Sequence, residues 1–165
     1  MSSFMRPLAL LSLLLSAALF GFFYAWVCST MWGLDMADPR VAIAAMQAMN
    51  ASVRNAVFAP AFFGTAPVLL FTAYVMFRER HRRAALWFGL AGIVVALLAV
   101  ALTAAFNIPM NEALARVAVP QDIEAARIIW ADYSPQWQVW NQIRTVTSGI
   151  AVLFVGIGIM RLGTA

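Results

Sequence analysis

The sequence has no lysine, a single cysteine (Cys28) and a single histidine (His81). Each scarcity excludes chemistry. Without lysine there is no Schiff-base nucleophile and no P-loop lysine. One cysteine allows no intrachain disulfide and no cysteine-built zinc or iron–sulfur site. One histidine excludes bis-histidine haem ligation and His-rich zinc or iron sites within one chain. Charge is scarce too: 11% of residues carry it, against about 25% in a typical soluble domain. Apolar residues fill the gap, at 64% of 165 residues, with a mean hydropathy of +0.84. In water such a chain would expose too much hydrocarbon surface. The composition therefore predicts a single-domain integral membrane protein.

The few charges divide the chain. Pro7 to Leu34, Asn55 to Phe77 and Ala84 to Asn111 carry none, and Thr145 to Met160 forms a fourth apolar stretch. A spanning helix needs about 20 mostly apolar residues. The predicted fold is thus an all-α membrane four-helix bundle, with spans near 7–27, 56–77, 85–106 and 142–162. The fourth stretch, 16 residues from 145 to 160, gives roughly 24 Å of helix, short of a hydrocarbon core about 30 Å thick. The helix must then bring Arg144 or Arg161 towards the membrane edge, or bury one of them. Arg161 is expected at the membrane edge and Arg144 inside the bundle. The first stretch starts like a signal peptide, but its apolar run continues through Trp26, too far for a signal h-region, so a retained helix is expected.

The loops set an expected orientation. Arg78-Glu79-Arg80-His81-Arg82-Arg83 is short and basic, which by the positive-inside rule is cytoplasmic. Both termini then face the cytoplasm, as in a bacterial inner-membrane protein. This accounts for the +4 net charge without a nucleic-acid partner. The two long outer connections hold six of the seven acidic residues and read as helical. Asp38-Pro39 is an N-cap and first-turn proline for an amphipathic helix over 39–55. Arg40, Gln47 and Arg54 would lie on one face and Val41, Ala45, Met49 and Val53 on the other. In the second connection Pro109 interrupts the third helix, short helices follow over 112–117 and 120–132, and Ser134-Pro135 reads as the start of the fourth.

Trp137, Trp140, Asn141 and Arg144 fall at i, i+3, i+4 and i+7 on one helical face. Tryptophans at such a depth form an interfacial belt in many membrane proteins. An ionisable residue near the membrane nonetheless points to a functional site with a partner. Glu112, Asp35 and Asp38 are the outer-side candidates for that partner, and Asn107 and Asn111 lie four apart nearby. His81, a general base by type, falls on the opposite side of the membrane. The outer methionines Met31, Met36, Met46, Met49 and Met110 could bind Cu(I) or fill gaps in packing. They form no repeating array, and no metal site is expected.

Several segments carry a family resemblance. They are Phe23-Tyr24-Ala25-Trp26, Met31-Trp32-Gly33-Leu34-Asp35, Ala45-Met46-Gln47-Ala48-Met49-Asn50 and Phe62-Phe63-Gly64. Two more are Phe106-Asn107-Ile108-Pro109-Met110-Asn111 and Trp137-Gln138-Val139-Trp140-Asn141-Gln142-Ile143-Arg144. Together they resemble the anthrone oxygenase-like family of small membrane proteins, across nearly the whole chain. The resemblance implies a four-helix membrane fold. For some members it also implies oxidation of an anthrone to an anthraquinone without a metal or flavin cofactor. In that chemistry a base removes the acidic CH proton, and the electron-rich anion reacts with O2. Arg144, Asn141 and Asn107 would then be oxyanion donors. Trp26, Trp137 and Trp140 would stack on a hydrophobic aromatic substrate, with Asn111 also binding it. Asp35 or Glu112 would be the base, and nothing in the sequence separates these two. The competing expectation is a non-catalytic protein that binds a lipophilic molecule or supports a partner complex, with Arg144 paired to a carboxylate.

Overall fold

The computed structural model describes residues 4–162. Among them there is helix and no strand. Four helices are long and apolar enough to cross a membrane: α1 (Met5–Met36), α3 (Phe58–Arg78), α4 (Arg82–Ala115) and α5 (Ile123–Met160). The shorter α2 (Pro39–Ser52) links the first two. Each apolar stretch of the sequence overlaps one of these helices, and all but the second helix run well past it. The chain is an all-α integral membrane protein.

The spans pack as an up-down-up-down bundle. α1 lies against α3 and α5, and α4 against the same two. Leu14 and Leu153, each about two-thirds exposed on the outside, face lipid. Inside, Met5, Leu69, Met76, Phe88, Val155 and Leu162 belong to one core cluster at the basic-loop end. Small residues let the helices close up there. A Cβ on Gly92 would come 2.8 Å from Leu70, and one on Gly158 would come 2.8 Å from the Phe88 ring. Ser12 and Thr72 share a 2.8 Å hydrogen bond between α1 and α3.

At the other end the bundle opens. α3 follows α4 as far as Val95–Ala101 but makes no contact with Thr103–Ala115. Three π-turns mark this half: Trp26–Thr30 in α1, and Val95–Ala101 and Thr103–Asn107 in α4. Such widened turns recur at functional sites. Pro109 falls just after the last of them and has no N–H to donate to the helix. The turn closes first, with Ile108 N–H bonded to Thr103 O, and the helix then runs on to Ala115. The proline therefore does not end the third span where its position predicted an interruption.

Two further expectations are corrected. The fourth helix does not start at Ser134-Pro135. It starts at Asp122, whose carboxylate accepts from Ala125 N–H at 2.8 Å, and continues unbroken through Pro135. Pro135 lies on the exposed face, and Ser134 turns its hydroxyl to Asp35 instead of capping. In α2 the Asp38 cap is present, accepting from Arg40 N–H at 2.9 Å. The Arg40 guanidinium also holds the Asp38 carboxyl below its ordinary pKa. The buried face of α2, however, is Ala42, Ile43 and Met46, and Val41 is exposed. That face packs on α5 beside Trp130 and Trp137. Gln47 donates to the carbonyls of Leu114 and Val117 at 2.8 and 2.9 Å, satisfying the frayed end of α4.

Candidate functional site

Where α3 parts from α4, a cavity of about 440 Å³ lies between the four spans. Small-molecule sites run from about 300 to 1,000 Å³. Phe22, Phe23 and Trp26 of α1 and Phe58, Phe62 and Phe63 of α3 form most of its apolar wall. Trp137 of α5 completes it, 5.0 Å from Trp26 between ring centroids. The turn after α2 adds Arg54 and Asn55 at the rim. Asn55 fixes that turn. Its Oδ1 accepts from Val57 and Phe58 N–H at 2.9 and 3.0 Å, and its Nδ2 donates to Ser52 O at 2.7 Å.

Polar groups gather at the inner end. Arg144 is 5% exposed. Its Nη1 donates to Thr103 Oγ1 at 3.1 Å and its Nη2 to Asn141 Oδ1 at 3.0 Å. Asn141 Nδ2 in turn donates to Phe23 O at 3.1 Å, so the amide is tied at both ends and holds the guanidinium in place. The guanidinium carbon sits 4.6 Å from the centre of the Phe23 ring and 5.5 Å from that of Trp137. Such cation–π contacts stabilise a desolvated cation only in part. Among the described residues Arg144 Nε has no hydrogen-bond partner. Among the described residues no carboxylate pairs with Arg144; the ion pairs join Arg40 to Asp38, Arg54 to Glu112 and Arg127 to Glu124. The expected pairing of Arg144 with an outer carboxylate is not formed.

A second polar group stands higher on the wall. Asn111 Oδ1 accepts from Tyr133 Oη at 2.8 Å and from Trp137 Nε1 at 2.9 Å. Two donors on one oxygen settle the amide's orientation. Among the described residues the Asn111 NH2 has no hydrogen-bond acceptor, and the residue lines the cavity. The same bonds fix the Trp137 ring beside Trp26.

Of the sequence-predicted site residues, Trp26, Asn111, Trp137, Asn141 and Arg144 meet on this cavity. The others do not. Trp140 sits at the edge of the helical arc and stacks on Phe106, with centroids 3.7 Å apart and planes 10° apart. Asn107 is buried behind the wall, with neither amide atom hydrogen-bonded. Glu112 is exposed, 3.9 Å from the rim residue Arg54. Asp35 is engaged elsewhere: Trp130 Nε1 and Ser134 Oγ donate to its Oδ1 at 2.9 and 2.7 Å, and Gln138 Nε2 to its Oδ2 at 2.9 Å. This carboxylate braces α1 against α5. Asp35→Ala is expected to cost about 1–3 kcal/mol by stranding buried donors, read as a lower Tm in detergent, with turnover per folded molecule unchanged. Turnover that vanished with no loss of Tm would make Asp35 a base after all. Met31 and Met46 are buried in the outer core, and Met49 and Met110 pack against it.

The sequence reading missed Thr103, Arg54, Asn55 and the Phe22, Phe58 and Phe62 wall. Thr103 left a faint signal, as a hydroxyl four residues before Asn107 in an otherwise apolar run. Phe62 stood in a segment of family resemblance without a role, and Phe22 and Phe58 left no signal, because lipid-facing and cavity-facing rings look alike in sequence.

A family model described as anthrone oxygenase matches residues 53–154, more than half of the chain. The match spans α3, α4 and most of α5, including Arg54, Asn111, Trp137, Asn141 and Arg144. No curated protein and no solved structure matches. With the matched segment covering three of the four spans and most of the cavity wall, the chain belongs to the anthrone oxygenase family.

Proposed function

We propose that the cavity is the active site of a cofactor-independent oxygenase that oxidises a planar, anthrone-like aromatic with O2. The observation that carries this reading is an aromatic-walled cavity closed at its inner end by the buried Arg144–Asn141 pair, in a chain of this family. The reaction balances as anthrone plus O2 giving anthraquinone plus water. Loss of the CH proton leaves an anion whose negative charge rests largely on the ketone oxygen. This anion gives one electron to O2, and the radical pair joins at carbon. The resulting peroxide takes up a proton and loses water to form the new carbonyl.

Each cavity group has a role. Trp26 and Trp137 stack on the rings. Arg144 stabilises the oxyanion, and Asn141 positions Arg144. The free NH2 of Asn111 donates to a substrate oxygen. Asn107, Trp140, Asp35 and Glu112 have no direct part. With the basic loop in the cytoplasm, the cavity opens on the outer side of a bacterial inner membrane. The test is oxygen uptake by the purified protein with a panel of anthrones. Uptake above the rate without protein, with formation of the quinone, supports the reading. Tight binding without uptake contradicts it. That outcome would favour a non-catalytic binding protein, a reading supported by the lack of carboxylate, histidine or cysteine on the cavity wall.

A further inference from the structure

Arg144 is a guanidinium buried among apolar side chains without a counter-ion. Burial of an unpaired charge costs several kcal/mol, and charged groups inside membrane spans pair or mark a functional path. The hydroxyl of Thr103, the amide oxygen of Asn141 and the two aromatic faces are neutral partners. They offset the desolvation without neutralising the charge. The only other ionisable residue of the wall is the rim arginine Arg54, whose guanidinium lies 3.9 Å from the exposed Glu112 carboxylate and is partly compensated by it. The wall's other polar groups are Asn50, Asn55, Thr103, Asn111 and Asn141. No side chain on it can hold a negative charge. The cavity is therefore complementary to an anion, and it has no group suited to making one from a neutral acid.

We infer that the cavity takes its aromatic ligand already ionised, as an oxyanion that completes the unpaired charge of Arg144. This rests on the reading of the cavity as the ligand site and deepens it: the substrate class is a planar phenolate or enolate. The proton is lost to water before the anion enters, so no protein base is required. Arg54 at the exposed rim meets the anion first, and the buried guanidinium then holds it. The anionic oxygen meets the guanidinium at Nη1 and Nη2, each of which carries a second N–H beyond its bond to Thr103 or Asn141, and the rings lie along Trp26, Trp137 and Phe62.

The test uses two unreactive probes of one shape, anthracene-2-carboxylate and anthracene-2-carboxamide. Each is titrated calorimetrically into the full chain in a zwitterionic detergent at neutral pH. The carboxylate is expected to bind on the order of tenfold or more tightly than the amide, the range for hydrogen bonds to a charged partner. Equal affinities, or a preference for the amide, overturn the inference, and this comparison in the unaltered protein needs no variant to fold. Arg144→Gln is expected to remove the preference. Arg54→Gln is expected to keep most of it but lose its salt dependence. A lipid phosphate offers the same charge, so the titration is repeated with added phosphatidylglycerol. Displacement of the carboxylate probe by this lipid at equimolar amounts assigns the site to a headgroup and also overturns the inference. The probes do not react with O2. Anion preference without oxygen uptake therefore defeats the catalytic reading alone, and uptake without anion preference defeats this inference alone.

Discussion

Arg144→Met is expected to reduce anthrone-dependent oxygen uptake by about 100- to 1,000-fold, the usual cost of removing an oxyanion donor. The Tm of the ligand-free protein should stay level or rise. These two readouts move apart because of what surrounds the side chain. Arg144 holds no carboxylate whose loss would strand a second charge. The substitution leaves Asn141 Oδ1 short of a donor, a loss of about 1–3 kcal/mol. Against that it removes a buried unpaired cation, whose desolvation costs several kcal/mol. Methionine has the length to fill the space beside Phe23 and Trp137. A drop of several kcal/mol in stability with uptake retained would mark Arg144 as a brace.

Asn111 is expected to give the clearest split between folding and binding. Asn111→Leu deprives Tyr133 Oη and Trp137 Nε1 of their shared acceptor. At about 1–3 kcal/mol for each stranded donor, the loss should show as a fall in Tm of many degrees in a detergent melt. Asn111→Asp keeps the acceptor and should hold Tm near that of the unaltered chain. It also replaces the free NH2 with a carboxylate in a cavity whose charge is otherwise positive. Affinity for an aromatic carboxylate should then drop at least about tenfold through like-charge repulsion. If Asn111→Asp bound the anion as well as the unaltered chain does, Asn111 would face away from the ligand.

The spans were legible in sequence because their boundaries are set by charge. Arg78 to Arg83 interrupts the apolar pattern sharply, and the α2 cap at Asp38-Pro39 is a local signal with a local cause. What could not be read depends on neighbours distant in sequence. Pro135 looked like a helix start because Ser134 precedes it, yet the Ser134 hydroxyl goes to Asp35, 99 residues away. α2 buries Ala42, Ile43 and Met46, not the Val41 stripe, because its packing partners Trp130 and Trp137 fix its rotation. The one-face cluster on α5 was real for Trp137, Asn141 and Arg144. Trp140, at the edge of that arc, was claimed by Phe106. The π-turns that bring Trp26 and Thr103 to the cavity have no residue signature beyond the nearby Pro109.

The two carboxylates named from sequence as candidate bases lie off the cavity wall. Asp35 and Glu112 stood out in a sequence with seven acids, yet both are exposed, Asp35 accepting three hydrogen bonds and Glu112 lying beside Arg54. The informative feature was the reverse, an arginine with no acid beside it. Pairing is a three-dimensional property, so the sequence placed Arg144 inside the bundle without revealing that it is alone there.

The most direct measurement is an experimental structure of the full chain with anthracene-2-carboxylate bound. The carboxylate should lie within hydrogen-bonding distance of the Arg144 guanidinium, with the rings against Trp26 and Trp137 and the Asn141–Arg144 bond intact. A probe bound outside the cavity, or inside it with its carboxylate turned away from Arg144, would contradict the assignment of this cavity as an aromatic oxyanion site.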